Sequence, residues 1–271
     1  MKEELKRIIA GESSPENGLR LAREYLQSRI LVLLQDAGAM MPMAFCGGTA
    51  LRFLYGLQRF SEDLDFTLVK SDREFSMRRF MESTIARLRR EGYAINPGWG
   101  SPEAAVQKVM LRFIGLPREL GLPARATANL SIRVETDTRP PAGAETQVTI
   151  VRRMHLIRIH HLDKPSLLAG KLHAVLTREY TKGRDFYDLL WYLGNPDWPG
   201  PNITYLGNAL LQTGWSHGRV ESLNLRHELE LRFDSVDWAA VRRDVAPFLE
   251  NPGETGFLNR EDMAGLIQHL G

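Results

Sequence analysis

Two aspartates, Asp63 and Asp65, stand either side of Leu64 in the stretch FSEDLDFTL, and a glycine pair, Gly47 and Gly48, precedes them. In a strand, side chains two apart share a face, so the aspartates lie together while Leu64 and Phe66 turn toward a core. Neighbouring carboxylates repel unless a proton or a cation sits between them. Magnesium takes oxygen ligands and is commonly held by one or two carboxylates plus substrate phosphates, so this pair is a candidate nucleotide-metal site. The glycines supply the other half. Without Cβ atoms they let a phosphate approach the backbone, and a helix starting near Thr49 offers free N–H groups to it. Arg52, one turn in, adds a charge. A third carboxylate, Glu135 in LSIRVETDTR, would complete a two-metal centre that activates an attacking hydroxyl and stabilises departing pyrophosphate. Alone, a glycine pair is a turn and a D-x-D strand a solvated face; the order strand, glycines, helix, strand is what joins them into a site.

A second constellation lies in DKPSLLAGKLHAVLTREYTKGRDFYDLLWYL, residues 163–193. Asp163 is a good N-cap, and Leu167, Leu168, Leu172, Val175 and Leu176 form an apolar stripe from which Lys171 departs. Asp185 and Asp188, three apart, share a face of the next helix. Two readings stay open: a helix hairpin tied by ion pairs, or Lys171 holding a triphosphate while an aspartate orients it or takes a proton. Between residues 152 and 184 there are eight Lys or Arg and two acids, a surface expected to attract phosphates. His160 and His161 read as strand-end or surface residues, and Cys46 as a small buried one.

The elements that must position these groups follow from periodicity. A helix is expected over 19–35, a strand over 43–46, a helix over 49–55, a strand over 63–69 and a helix over 73–90. Segments 105–114, 128–137 and 146–151 are β-rich, which makes about five strands. Helices then follow at 163–179, 184–193, 203–213, 219–233, 236–249 and 260–270. The fold class is therefore α+β: a mixed-sheet domain with an N-terminal helix over residues 1–158, followed by a helical domain over residues 159–271. In the helical part Trp215 and Trp238 are expected to be core anchors.

The 271 residues can bury a real core, and 43% are hydrophobic against 25% charged, as in ordinary globular proteins. The net charge of +2 makes any nucleic-acid role depend on where the charge sits. The single cysteine excludes an intramolecular disulfide. With no signal-peptide or membrane-spanning pattern, a cytoplasmic protein with no membrane partner is expected.

Taken together, GGTALR at 47–52, RFSEDLDF at 59–66, VETDTR at 134–139, KLHAVLTRE at 171–179 and RDFYDL at 184–189 resemble the AbiEii/AbiGii-type nucleotidyltransferase toxins. These belong to the DNA polymerase β-like nucleotidyltransferase superfamily. The resemblance runs from about residue 29 to 193. It implies a polymerase-β-like nucleotidyltransferase domain and a toxin that transfers a nucleotide from an NTP with Mg2+, restrained by a cognate antitoxin protein. Some relatives modify the 3′ end of tRNA, so tRNA or another RNA is the implied acceptor and a block in translation the implied effect. It also implies that Asp63 and Asp65 ligate metal, with Glu135 as a further candidate, and that Gly47, Gly48 and Thr49 form the phosphate turn, joined in nucleotide binding by Arg52 and Ser61. Lys171 would contact the nucleotide phosphates, and Asp185, with Asp188 as second choice, would be the essential acid. Either Glu135 or Asp185 would serve as general base.

Two other functions fit the same residues. The chemistry could act on a protein or small-molecule hydroxyl, although acceptors such as aminoglycosides call for a more acidic pocket. A module that only binds nucleic acid or an antitoxin would keep the basic segment and leave the acids idle.

Overall fold

The computed structural model describes residues 2–12, 14–122, 130–215 and 222–270. The chain divides into two compact units. Unit 1 comprises residues 1–54, 61–140 and 148–161; unit 2 takes residues 55–60, 141–147 and 162–271. The mixed sheet and the helical second half expected of an α+β protein are both present.

Unit 1 begins with α1 (Lys2–Ile9) and α2 (Pro15–Asp36). Ser14 caps α2 by accepting from the Asn17 N–H, and Pro15 occupies the first turn, where a missing N–H costs nothing. Then come β1 (Met43–Cys46), α3 (Gly47–Tyr55), β2 (Leu64–Leu68) and α4 (Met77–Arg90). The rest of the sheet is β3 (Ile95–Trp99), β4 (Val106–Phe113), β5 (Leu130–Asp137), β6 (Thr146–Arg152) and β7 (Leu156–Leu162), with the short α5 (Leu116–Glu119) after β4. The strand order is β3-β4-β5-β2-β1-β7-β6. β2 runs antiparallel to β1 and parallel to β5.

Each central strand alternates. Leu64 and Phe66, Ile132 and Val134, and Val109 and Leu111 are buried on the face covered by α2 and α4, while the intervening residues look to the other face. Seven strands replace the five expected. β3 escapes the sequence pattern because Pro97 and Gly98 interrupt it, which an edge strand tolerates. β7 hides among basic residues, but Ile157, Ile159 and His161 alternate into the interior. His161 is accordingly fully buried opposite Phe45, its ring bonded to Thr149 at 2.9 Å, and not a surface residue. α4 starts at Met77, not 73, because Asp72 turns the chain first by accepting from the Glu74 N–H. Residues 128 and 129 of the expected fourth strand, and 219–221 of an expected helix, lie outside the described residues.

Unit 2 contains α6 (Lys164–Thr177), α7 (Gly183–Leu193), α8 (Ile203–Gln212), α9 (Ser222–Asp234), α10 (Trp238–Val245) and α11 (Arg260–Leu266). Asp163 caps α6 as expected, accepting from the Ser166 N–H. Trp238 is a packing residue: its ring meets Phe186 and Phe233 edge-on and its N–H donates to the Phe233 carbonyl. Residues 58–60 pair with 248–250 by backbone bonds, Phe60 N–H to the Phe248 carbonyl and Glu250 N–H to the Gln58 carbonyl, which inserts Arg59 into the helical unit. Among the described residues no helix is long and apolar enough to cross a membrane.

Candidate active site

In unit 1 the acidic residues gather on the sheet face away from α2 and α4. Asp65 sits opposite Glu135 on the neighbouring parallel strand, and opposite Cys46 on the other side. Asp63, just ahead of β2, points to the same face and joins the group through Arg133. The Arg133 guanidinium donates to Asp63 Oδ2 at 2.6 Å and lies 3.3 Å from Glu135 Oε1. Arg133 is two residues before Glu135 and so shares its strand face. The bond to Asp63 is the chief cause that raises the guanidinium pKa above its ordinary value, with the charges of Asp63, Glu135 and Asp65 adding to it. Arg133 is thus the cation that answers the acids in the structure.

The turn at Gly47 is built around Asp65. Gly47 has φ +75°, the left-handed region, and a Cβ there would lie 2.5 Å from Asp65 Oδ2 and 3.1 Å from its Cγ. Strand β1 therefore passes straight into α3 at Gly47, with the first N–H groups of the helix beside the carboxylate. Thr49 falls inside the first turn and does not cap the helix; its buried hydroxyl donates to the Asp63 carbonyl, tying α3 to the chain that carries the acids. Cys46, expected in the core, is half-exposed opposite Asp65.

Arg52 and Ser61 are placed differently. The Arg52 guanidinium is buried in a pair with Glu24, at 2.8 Å from Nε and 2.7 Å from the terminal nitrogen, and the Arg52 carbonyl accepts from Arg153. The Ser61 carbonyl accepts from the Gln27 side chain.

Among the described residues no three His, Cys, Asp or Glu side chains are grouped closely enough to enclose a metal as they stand. The donor set nonetheless suits a hard divalent cation: Asp63, Asp65 and Glu135 offer only carboxylate oxygens on one face, and Asp63 and Glu135 are already engaged by the positive charge of Arg133.

In unit 2, Lys171, Asp185 and Asp188 meet in a buried network with Arg59 and Arg178. Asp188, fully buried, takes a two-pronged bond from Arg59 at 2.6 and 2.7 Å and another from Lys171 at 2.7 Å. Lys171 also reaches Asp185 at 3.3 Å, and Arg178 pairs with Asp185 at 3.0 Å. Burial alone would raise the Asp188 pKa, but Arg59 and Lys171 outweigh it and hold the carboxyl below its ordinary range. For Lys171, burial pulls downward while Asp188 and Asp185 win and raise it.

The basic residues over 152–184 form an open surface only in part: Arg152, Arg153 and Arg158 are exposed, whereas Lys164 stacks over Trp198 at 4.1 Å, Lys171 is half-buried against Asp188, and Arg184 lies over Phe248 at 4.2 Å. Arg59 and Arg133 were not singled out by sequence reasoning. For Arg133 the signal exists, in its i−2 spacing to Glu135; for Arg59, whose partner lies 129 positions away, there is none.

Residues 29–260 match the family described as nucleotidyl transferase AbiEii toxin, type IV toxin–antitoxin system. Among solved structures the chain is similar to JHP933 from Helicobacter pylori, at 19% identity and a TM-score of 0.55, covering 93% of this chain and 91% of that one. It is also similar to MenT4, a nucleotidyltransferase toxin of Mycobacterium tuberculosis, at 14% identity and a TM-score of 0.57, covering 99% and 89%. At these identities the likeness is one of fold. No curated protein matches the chain.

Two outcomes follow from the geometry. Gly47→Ala forces the Asp65 carboxylate aside, so transfer chemistry that depends on Asp65 should fall on the order of 100-fold, while thermal unfolding shows only the modest cost of a strained alanine, about 1–2 kcal/mol. Asp188→Asn leaves the buried Arg59 without its counter-charge and removes the shorter of the two Lys171 contacts, and should cost roughly 3–5 kcal/mol in urea unfolding at neutral pH. Because the folded pKa of Asp188 is depressed, its contribution is complete above the ordinary value of 3.8 and lost as pH falls through the folded value. The difference between wild type and Asp188→Asn should therefore shrink in strong acid.

Proposed function

Since the chain belongs to the AbiEii family of nucleotidyltransferase toxins, with an NTP as substrate and an antitoxin as partner, we propose that it transfers NMP from an NTP to the 3′ end of an RNA, with tRNA the acceptor and blocked translation the result. The observation that carries this assignment is the register of Asp65 with Glu135 beside the left-handed turn at Gly47. It sets hard oxygen donors next to a helix start that can receive phosphates.

In this scheme the N–H groups at Gly47, Gly48 and Thr49 bind the triphosphate, and Asp63 and Asp65 are the carboxylates that would hold Mg2+. When bound, Mg2+ neutralises phosphate charge and favours departure of pyrophosphate. Glu135 takes the proton of the attacking RNA hydroxyl. The RNA hydroxyl oxygen then bonds the α-phosphorus as the bond from that phosphorus to the bridging oxygen of pyrophosphate breaks. Arg133, which engages Asp63 and Glu135, would have to release them for Asp63 to hold a cation and Glu135 to take a proton. The Gly47 turn keeps Asp65 oriented without using a side chain of its own.

Lys171 and Asp185 keep a proposed part in nucleotide handling. The 3.3 Å contact between them is the looser of the two that Lys171 makes, and it is the one a phosphate would replace. Asp188 stays with Arg59.

Incubation of the purified protein with Mg2+, labelled NTPs and total RNA should label a tRNA-sized band. Asp65→Asn, a conservative change at a half-exposed position, should lower labelling by about 100-fold or more while the melting temperature holds. Undiminished labelling by that variant would refute the assignment of Asp65.

A further inference from the structure

The open sheet face carries cations that the chemistry above leaves unused. Across the sheet Lys108 on β4 lies opposite Glu135, Glu135 opposite Asp65, and Asp65 opposite Cys46, which leads into the Gly47 turn. One row of side chains therefore runs from base through two acids to the phosphate turn, at about 4.8 Å per strand. In the next rows Met110 faces Arg133, and Arg112 faces Ser131. Lys108 and Arg112 are exposed, and among the described residues neither pairs with a carboxylate.

Edge strand β3 is shaped to leave these cations room. Gly98 lies opposite Met110, and a Cβ on it would come 2.7 Å from the Arg112 guanidinium. A Cβ on Gly100 would come 2.7 Å from Lys108 Cγ and 3.2 Å from its carbonyl oxygen. Either side chain would push a basic residue from its place. The result is a groove of about 290 Å³ lined by Gly98, Gly100, Lys108, Met110, Arg112 and Arg133. At its inner edge Arg133 reaches across to Asp63 and Glu135.

The acids thus lie between the Gly47 turn and a cationic groove. In a displacement at phosphorus the entering and leaving oxygens stand on opposite sides of the reacting centre. With pyrophosphate leaving at the turn, the entering hydroxyl comes from the groove side, carried by a chain whose charge the groove complements. We propose that this groove binds the phosphodiester backbone of the acceptor RNA next to its 3′ end, with Lys108 and Arg112 contacting phosphates. The proposal rests on the transfer reaction above for the identity of the acceptor.

The test is fluorescence anisotropy of a short labelled single-stranded RNA titrated with wild type and with the double variant Lys108→Gln, Arg112→Gln over a range of salt, alongside a fluorescent ATP analogue with Mg2+. Both side chains are exposed, so the fold should persist, as a melting curve would verify. RNA affinity should drop on the order of tenfold, and the slope of log affinity against log salt should flatten by roughly 1.4, two single-strand phosphate contacts at about 0.7 each. ATP-analogue affinity should not change. Gly98→Leu, which fills the groove and keeps every charge, should weaken RNA binding as well. Unaltered RNA affinity in the double variant or in Gly98→Leu overturns the proposal, as does an equal loss of RNA and nucleotide affinity, which would make the groove a triphosphate site. The two layers separate cleanly. If wild type binds RNA through these residues yet transfers no nucleotide, the transfer reaction is refuted and the groove stands. If wild type transfers nucleotide and the double variant has the wild-type KM for RNA, only the groove is refuted.

Discussion

Carboxylates held side by side on a sheet must be answered by positive charge, and much of unit 1 is arranged around that requirement. Asp65 and Glu135 cannot separate, because they are partners in a parallel ladder whose other face is core. Asp63 is fixed from behind, its carbonyl bonded by buried Thr49. The answering charge in the structure is Arg133, drawn from the same strand as Glu135. This internal counter-cation holds Asp63 and Glu135 in place on the sheet face. The arrangement costs less stability than bare like charges would.

Unit 2 meets the opposite problem with the same physics. Arg59 is a buried cation and Lys171 a half-buried one, and Asp188 is the buried acid that makes them tolerable. Removing charge from water is expensive, so such a cluster persists only when its hydrogen bonds are complete; the two-pronged Arg59 contact and the short Lys171 contact provide that. Asp185 has a different role in the cluster. It is shared between Lys171 at 3.3 Å and Arg178 at 3.0 Å.

The parts of this site legible in the sequence are those set by local geometry. Alternation about Leu64 places the aspartates on one face, and the same rule puts Glu135 on the polar face of its own strand; the pairing of β2 with β5 then sets it opposite Asp65. Gly47 is legible for a similar reason, since its left-handed backbone excludes other residues. What escaped depends on partners remote in sequence. Arg52 looks like a phosphate ligand until Glu24 is seen beside it, and the later part of the run of cations from 152 to 184 looks like open surface until Trp198, Asp188 and Phe248 are found against Lys164, Lys171 and Arg184. Lys108 and Arg112 escaped for the converse reason: two bases on a strand with no local acid are unremarkable until β5 and β2 bring Glu135 and Asp65 into line with them.

The central claim is that the acids on this face direct attack at the α-phosphorus of an NTP by an RNA hydroxyl. It is tested most directly by incubating the protein with RNA and Mg2+ and one NTP labelled at either the α- or the γ-phosphate. Nucleotidyl transfer puts α-label into RNA and leaves all γ-label in released pyrophosphate. Label from the γ-phosphate in RNA, with none from the α-phosphate, would show phosphoryl transfer instead and contradict the mechanism.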